Sequence, residues 1–376
     1  MNWIKGEFLG DKILTSQRGD HVDSPWDSYI LPVINSALSP GLDVASAIPL
    51  DANAKSDACF QGQTHGHEGF LLDLETGHML RKKEPAVIHP FLTGDDMLSR
   101  PDSTPERFVI DMNRCEDVFA ARANPLAFDI LRERAMPTAQ ANAAAEKAST
   151  GRGIGPRQSH FRKWWRFWRG RLEMMEAIAK LPRYVVCVRH TKRPIFEFIS
   201  PSIHPNDALQ VFPLADDYSF GILQSPVHFE WFKARCSTLK ADFRYTSDTV
   251  FDTFPWPQTP TKGQIAEVAA AAVALRALRR EIMAKLGYSL RALYRTLDTP
   301  GANPLREAHT RLDTAARAAY AMPKPADPLA FLLALNLTLA AKEKAGEKIS
   351  PPGLPLPETE RRAFITNDCV HVAKPA

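Results

Sequence analysis

The sequence predicts an α+β protein, with a mixed α/β module up to about residue 258 and an all-helical module after it. Three observations predict this. Short apolar runs bounded by Gly, Pro and Asp fill residues 58–112 and return in 183–214. From Ile265 to Leu286 apolar residues instead recur three or four apart, the spacing of one helix face. Between the two patterns stands TVFDTFPWPQTPT, where Pro255, Pro257 and Pro260 stop a strand from propagating and fix the start of the next element.

The elements follow in order. Residues 1–56 are rich in Pro, Asp and Ser and weakly periodic, which makes them a lead-in segment with short elements. ACFQG, GFLLDL, PAVIHPFLTG and RFVIDM are strand candidates between Ala58 and Met112. Cys115 to Lys147 reads as helix, with Phe119, Leu126, Ile130 and Leu131 among charged residues, and the glycine-rich TGRGIGP breaks it. A basic, aromatic helix comes next, then the strands RYVVCV, PIFEFI and ALQVFPL. YSFGILQSPVHFEWFKARC is helix or loop, and FRYTSDTVFDTF is a strand running into the prolines.

Beyond Pro260, Ile265, Val268, Ala272, Leu275, Leu278, Ile282 and Leu286 make one face of a helix of about 25 residues, about 38 Å long. Tyr288 to Leu297 is a short helix or turn, and Pro304 to Met322 a helix with Leu305, Leu312, Ala316 and Tyr320 on one side. A third helix starts at Pro328 with Asp327 as its cap. The proline-rich SPPGLPLPETERRAF is extended. The resulting division is 1–56, 57–258, 259–346 and 347–376.

Composition excludes several classes. No apolar run among the 376 residues reaches the roughly 18 that a membrane span needs. The opening MNWIKGEFLGDKI lacks a signal-peptide layout. The five cysteines are scattered without a Cys-x-x-Cys pair, which argues for a reducing cytoplasm over a disulfide framework or a zinc knuckle. No Gly-x-Gly-x-x-Gly follows a strand, and no phosphate-binding loop is present. His65 and His67 in THGHEG would share a strand face, but no third ligand stands at a recognisable spacing, so a polar turn is expected there and no metal. His309 and Asp313 lie one helical turn apart with no nucleophile near them in sequence; a buried, hydrogen-bonded histidine is the expectation. No catalytic residues emerge.

Two stretches suit nucleic acid better than the net charge of +4 does. GRGIGPRQSHFRKWWRFWRGR carries Arg152, Arg157, Arg162, Lys163, Arg166, Arg169 and Arg171 and no acid. As one helix it would bury a stripe of Phe161, Trp165, Trp168, Leu172 and Met175. Arg157, Arg162, Lys163, Arg166 and Arg169 would then serve phosphates, whose counterions each cation releases. The second stretch is ARCSTLKADFRYTSD, where Arg235 adds charge and Lys240, Asp242, Arg244 and Thr246 alternate onto one strand face. Donors for guanine and an acceptor for cytosine on one face are what base reading needs. An ordinary solvent-facing strand would look the same.

Together these pieces resemble a known family. INSALSPGLDVASAIPLDANAKSDACFQG, HPFLTGDDM, RFVIDM, the Trp-rich stretch, RYVV, SPVHFEWF and FRYTSDTVFDTFPWP are similar to the C-terminal half of MmeI-like type IIL restriction–modification enzymes. SLRALYRTLDT, LREAHTRLDTAARAAYAM and LLALNLTLAAKE resemble that family's helical tail, so the likeness runs from about Asn35 to Ala341. The resemblance implies a target recognition domain that binds double-stranded DNA. In the full-length family it is joined to a nuclease and to an adenine-specific methyltransferase that uses S-adenosylmethionine. The family's donor-binding and Asn-Pro-Pro-Tyr motifs are missing here: ANPLAF at Asn124 and ANPLRE at Asn303 lack the second proline. The expectation is therefore DNA recognition without a cofactor, from a truncated or split gene or a specificity partner for a separate methyltransferase chain. The alternatives are an active adenine DNA methyltransferase and a helical interaction protein with a decayed DNA site.

Overall fold

The computed structural model describes residues 10–17, 23–31, 34, 42–151, 153–239 and 242–372, without the side chains of 237–239 and 242. Strands β1 (Lys12–Gln17) and β2 (Trp26–Leu31) pair as an antiparallel hairpin. Then come β3 (Phe60–Gln61), β4 (Leu71–Leu72), β5 (Ile88–Leu92) and β6 (Phe108–Ile110). Further along are β7 (Tyr184–Val188), β8 (Phe196–Ile199), β9 (His204–Pro205), β10 (Leu209–Phe212), β11 (Ser237–Leu239) and β12 (Asp242–Arg244). The fold class is α+β, with the apolar runs of the sequence supplying β3 to β8 and β10.

Two four-stranded sheets result, in the orders β4-β6-β5-β9 and β3-β10-β7-β8. After β8 the chain lends β9 to the first sheet, parallel to β5, and returns as β10 between β3 and β7 of the second. The turn 206–208 thus lies where the sheets meet. Each sheet backs its own core: one from Phe70 to Phe167, including Phe108, Trp164 and Trp165, the other from Val44 through Trp231 and Trp256 to Leu356. The second core continues across residue 258 into the C-terminal helices. The helix Lys262–Leu286 starts at Thr261, whose side chain and Gln264 cap each other, and it ends at Gly287 with φ 65°. It packs on the helices Asp217–Gln224 and Pro304–Ala319. At Gly221 a Cβ would sit 2.6 Å from Val268 Cγ1, so only glycine permits that approach. The helix Pro328–Lys344 is capped by Asp327, as its sequence indicates.

Three expectations of local structure fail. Within SPPGLPLPETERRAF, read as extended, Glu358–Arg361 is a helical turn and Arg362–Phe364 a 3-10 turn. The strand read through Phe251 and Phe254 ends at Arg244, and Ser247–Phe251 is a π-helical turn. Buried Asn53 explains why: its amide donates to Phe251 O at 3.0 Å and Phe254 O at 2.7 Å, while Asn336 Nδ2 takes Thr253 O at 2.8 Å. These carbonyls are satisfied without a ladder partner, and Phe251, Phe254 and Trp256 still reach the core. The basic helix is also broken. It is helical only over Pro156–Phe161, turns, and resumes as Leu172–Ala179. Trp164, Trp165 and Phe167 are buried, while Trp168 and Leu172 of the expected stripe are exposed, so the buried set is not the one that a continuous helix was expected to bury.

A polar network ties the far end of the chain to the second sheet. Arg183 and Arg276, each 1% exposed, share Asp217 and Asp368. Beside them Ser200 N donates to Val370 O at 3.0 Å and Val370 N to Phe198 O at 2.8 Å, so the tail lies along β8.

Candidate nucleic-acid interface

The end of β7 organises the site. Arg189 N donates to Ala208 O at 2.9 Å, and Arg189 O accepts from Tyr245 N at 2.8 Å. His190 pairs with Arg244 in an antiparallel bridge. These bonds hold the end of β7 between the 206–208 turn and the segment after β12. On the other side of the turn, Thr64 and Arg169 exchange backbone bonds of 3.1 and 3.0 Å. Arg169, Arg171, Arg189 and Arg244, from three separate segments, therefore lie close to one another, with Asp207 beside Arg171 and Arg189.

The side chains interlock. Thr64 Oγ1 donates to Asp207 Oδ2 at 2.9 Å, and Arg189 Nη1 to Asp207 O at 3.1 Å. Gln61 Nε2 donates to the same carbonyl at 3.3 Å, while its Oε1 accepts from Arg171 Nη2 at 3.2 Å. The Nε atoms of Arg171, Arg189 and Arg244 are buried and have no hydrogen-bond partner among the described residues, although Arg189 is only 7% exposed. Burial, then the neighbouring Arg244 charge, push the Arg189 pKa down, and Asp207 pulls it up. Burial and Arg169 likewise push Arg171 down against Asp207. Crowded cations with idle donors are costly in isolation and match an anionic or acceptor-rich ligand. A guanidinium can address guanine O6 and N7, and a carboxylate can accept from cytosine N4.

The residues singled out in the sequence fall on different footings. Arg244 belongs to this cluster, with Tyr245 buried on the opposite side as the alternation implies. Thr246 caps the π-helical turn, its hydroxyl bonded to that of Thr249, so it faces the protein. Lys240 and the side chain of Asp242 lie outside the described residues, as does Arg152. Arg162, Lys163 and Arg169 are exposed and make no ion pair among the described residues. Arg157 stands 5.9 Å over the Trp168 ring and lines a cavity of about 220 Å³ with His65, His67 and Trp164. Arg166 departs from the expected role: its Nε and Nη2 donate to Cys115 O at 2.9 and 2.7 Å, so it braces the loop. Arg235 is structural too, donating to Thr249 O and Val44 O at 3.2 and 2.7 Å. His67 caps Gly69 N, and His309 Nε2 lies 2.9 Å from the Tyr294 hydroxyl, the hydrogen bond expected of it, although the ring is half-buried. Sequence reading missed Arg171, Arg189, Asp207 and Gln61 as a group. The one available signal was an arginine closing the apolar strand RYVVCV.

Residues 176–258 match the family described as "MmeI, target recognition domain". DNA methyltransferase A of Bacillus subtilis (strain 168) is 35% identical over 106 residues, which cover 28% of this chain and 11% of that protein. Among solved structures, the type IIL restriction–modification enzyme MmeI in complex with DNA superposes with a TM-score of 0.65 at 19% identity, over 88% of this chain and 42% of that one. The chain thus spans less than half the length of either relative. No described helix is long and apolar enough to cross a membrane. Residues 176–258, which include Arg189, Asp207 and Arg244, thus match a target recognition domain of the MmeI family, and the chain shares its fold with MmeI itself.

Proposed function

We propose that this chain reads a DNA sequence on behalf of a restriction–modification methyltransferase, in the cytoplasm, and that the methyl-transfer chemistry and S-adenosylmethionine belong to another domain or chain. The observation that carries this reading is the arginine cluster beside Asp207, of which Arg189, Arg244 and Asp207 itself lie within the residues that match a target recognition domain. Arg171, Arg189 and Arg244 then supply donors to base edges, with Asp207 and Asp242 as acceptors and Lys240 as a further donor. Arg157, Arg162, Lys163 and Arg169 supply phosphate contacts, which carry affinity and no sequence information.

One experiment tests both halves. A pool of random duplexes is selected on the full chain, and then on Arg244→Ala and on the double variant Arg162→Ala/Lys163→Ala. Arg244→Ala should relax preference at one base pair, by roughly 1–3 kcal/mol, and leave the others nearly intact. The double variant should keep the selected sequence but weaken binding to every duplex, with the log–log salt slope lower by about one unit per lost contact. An unchanged selected site for Arg244→Ala with a lowered melting temperature would make Arg244 structural. Methyl incorporation into DNA by this chain alone would contradict the division of labour.

A further inference from the structure

Behind the arginines lies a buried hub, the carboxylate of Asp111 in RFVIDM. Its Oδ2 accepts from Gln63 Nε2 at 2.9 Å and stands 3.0 Å from His204 Nδ1. Its Oδ1 accepts from Asn113 N at 2.9 Å and Asn113 Nδ2 at 2.5 Å. Burial alone would raise this carboxyl's pKa; His204, Asn113 and Gln63 outweigh it and hold the group at about 2.

Each partner leads to a different part of the arginine cluster. Gln63, fully buried, also donates to Gly170 O at 2.9 Å, and its own N–H bonds Pro205 O at 2.8 Å. The next residue, Thr64, holds Arg169 through the backbone and Asp207 through its hydroxyl. Asn113 Oδ1 accepts from Phe167 N at 2.9 Å, and a Cβ at Gly170 would come within 2.5 Å of the Asn113 side chain, so the loop lies directly on this residue. His204, in β9, enters the 206–208 turn, and its ring stacks on His89 with centroids 3.9 Å apart.

We propose that Asp111 is a positioning residue for sequence discrimination: through Gln63, Asn113 and His204 it sets the loop 166–171 against the turn 206–208, and so fixes the base-reading Arg171 relative to Asp207. Asp111 touches no ligand in this scheme. Fixed donors discriminate between bases because a contact displaced by a fraction of an ångström no longer favours one base edge over another. The inference rests on the DNA-reading function above.

The test compares the full chain with Asp111→Asn, which keeps the shape and removes the charge and two acceptor lone pairs. Affinities are measured for the duplex selected by the wild type and for a random duplex. The ratio of the two should fall roughly tenfold or more, the discrimination that one bidentate contact carries, while random-duplex affinity stays within about twofold. An unchanged ratio overturns the proposal, whatever happens to the melting temperature. If Asp111→Asn does not fold, Gln63→Met removes one arm of the hub and keeps the carboxylate. Its ratio should fall in the same direction, and an unchanged ratio there overturns the proposal equally. A wild type without preference among duplexes would remove the DNA-reading function itself, a failure recognisable before any variant is made.

Discussion

Asp217→Ala should cost the folded chain about 3–5 kcal/mol, because it leaves buried guanidiniums uncompensated. Asp217 accepts from Arg183 Nη2 at 2.8 Å and from Arg276 Nη2, and it also takes Thr366 N at 3.1 Å. Arg183 lies 3.6 Å over the Phe198 ring, and Arg276 lies over Phe198 and Phe220 at 4.9 and 4.6 Å, so neither can turn out to water. Asp368, the remaining acid, is already shared with Arg280. For comparison, Lys262→Ala breaks an exposed pair with Glu360 and should change stability by less than about 1 kcal/mol. Urea unfolding of the two variants beside the wild type measures both. A loss below about 1 kcal/mol for Asp217→Ala would mean that water reaches the network.

Stability should also fall steeply as pH drops from about 6.5 toward 4. Burial lowers the pKa of His89, His228 and His309 to about 3 in the folded chain, with the His204 charge adding to the effect at His89 and the Arg279 and Arg193 charges at His309. Unfolded, each histidine titrates near 6.5. Between these values the unfolded chain binds protons that the folded chain refuses. The stability is therefore fully present above about 6.5 and is lost on acidification, by about 1.4 kcal/mol per pH unit for each histidine. Asp252, raised by burial and by Asp248 to about 6, acts the other way between about 4 and 6, since the folded chain keeps a proton there that the unfolded chain releases. Urea midpoints at pH 7.5, 6 and 5 give the slope. His309→Gln should reduce it by about one proton, and a flat profile from 7.5 to 5 would show that these rings titrate normally.

What could be read in advance follows from locality. The helix Lys262–Leu286 was legible because its apolar period is written in adjacent residues. Strands β7, β8 and β10 were legible as apolar runs buried on both faces. The π-helical turn and its exit were not, because Asn53 and Asn336, which take Phe251 O and Thr253 O, lie 198 and 83 residues away from those partners. The basic helix misled because adjacent aromatics fit more than one stripe, and only Asn113 and Cys115, held by the first sheet, decide where the loop docks. The arginine cluster was half legible: Arg244 stood in a visible alternation and Arg171 in a visibly basic run, whereas Arg189 is a single ordinary charge until the sheets bring the segments together.

The tail along β8 has a consequence for how the protein is made. Asp368 leaves the ribosome 185 residues after Arg183 and 92 after Arg276, the two buried guanidiniums it helps neutralise. At 5–20 residues per second Arg183 waits roughly 10–40 s for that partner. From the synthesis of Arg276 until that of Asp368, both buried cations have Asp217 alone as their counter-charge. A nascent chain is therefore most exposed to chaperones and proteases after its DNA-reading residues have already been synthesised.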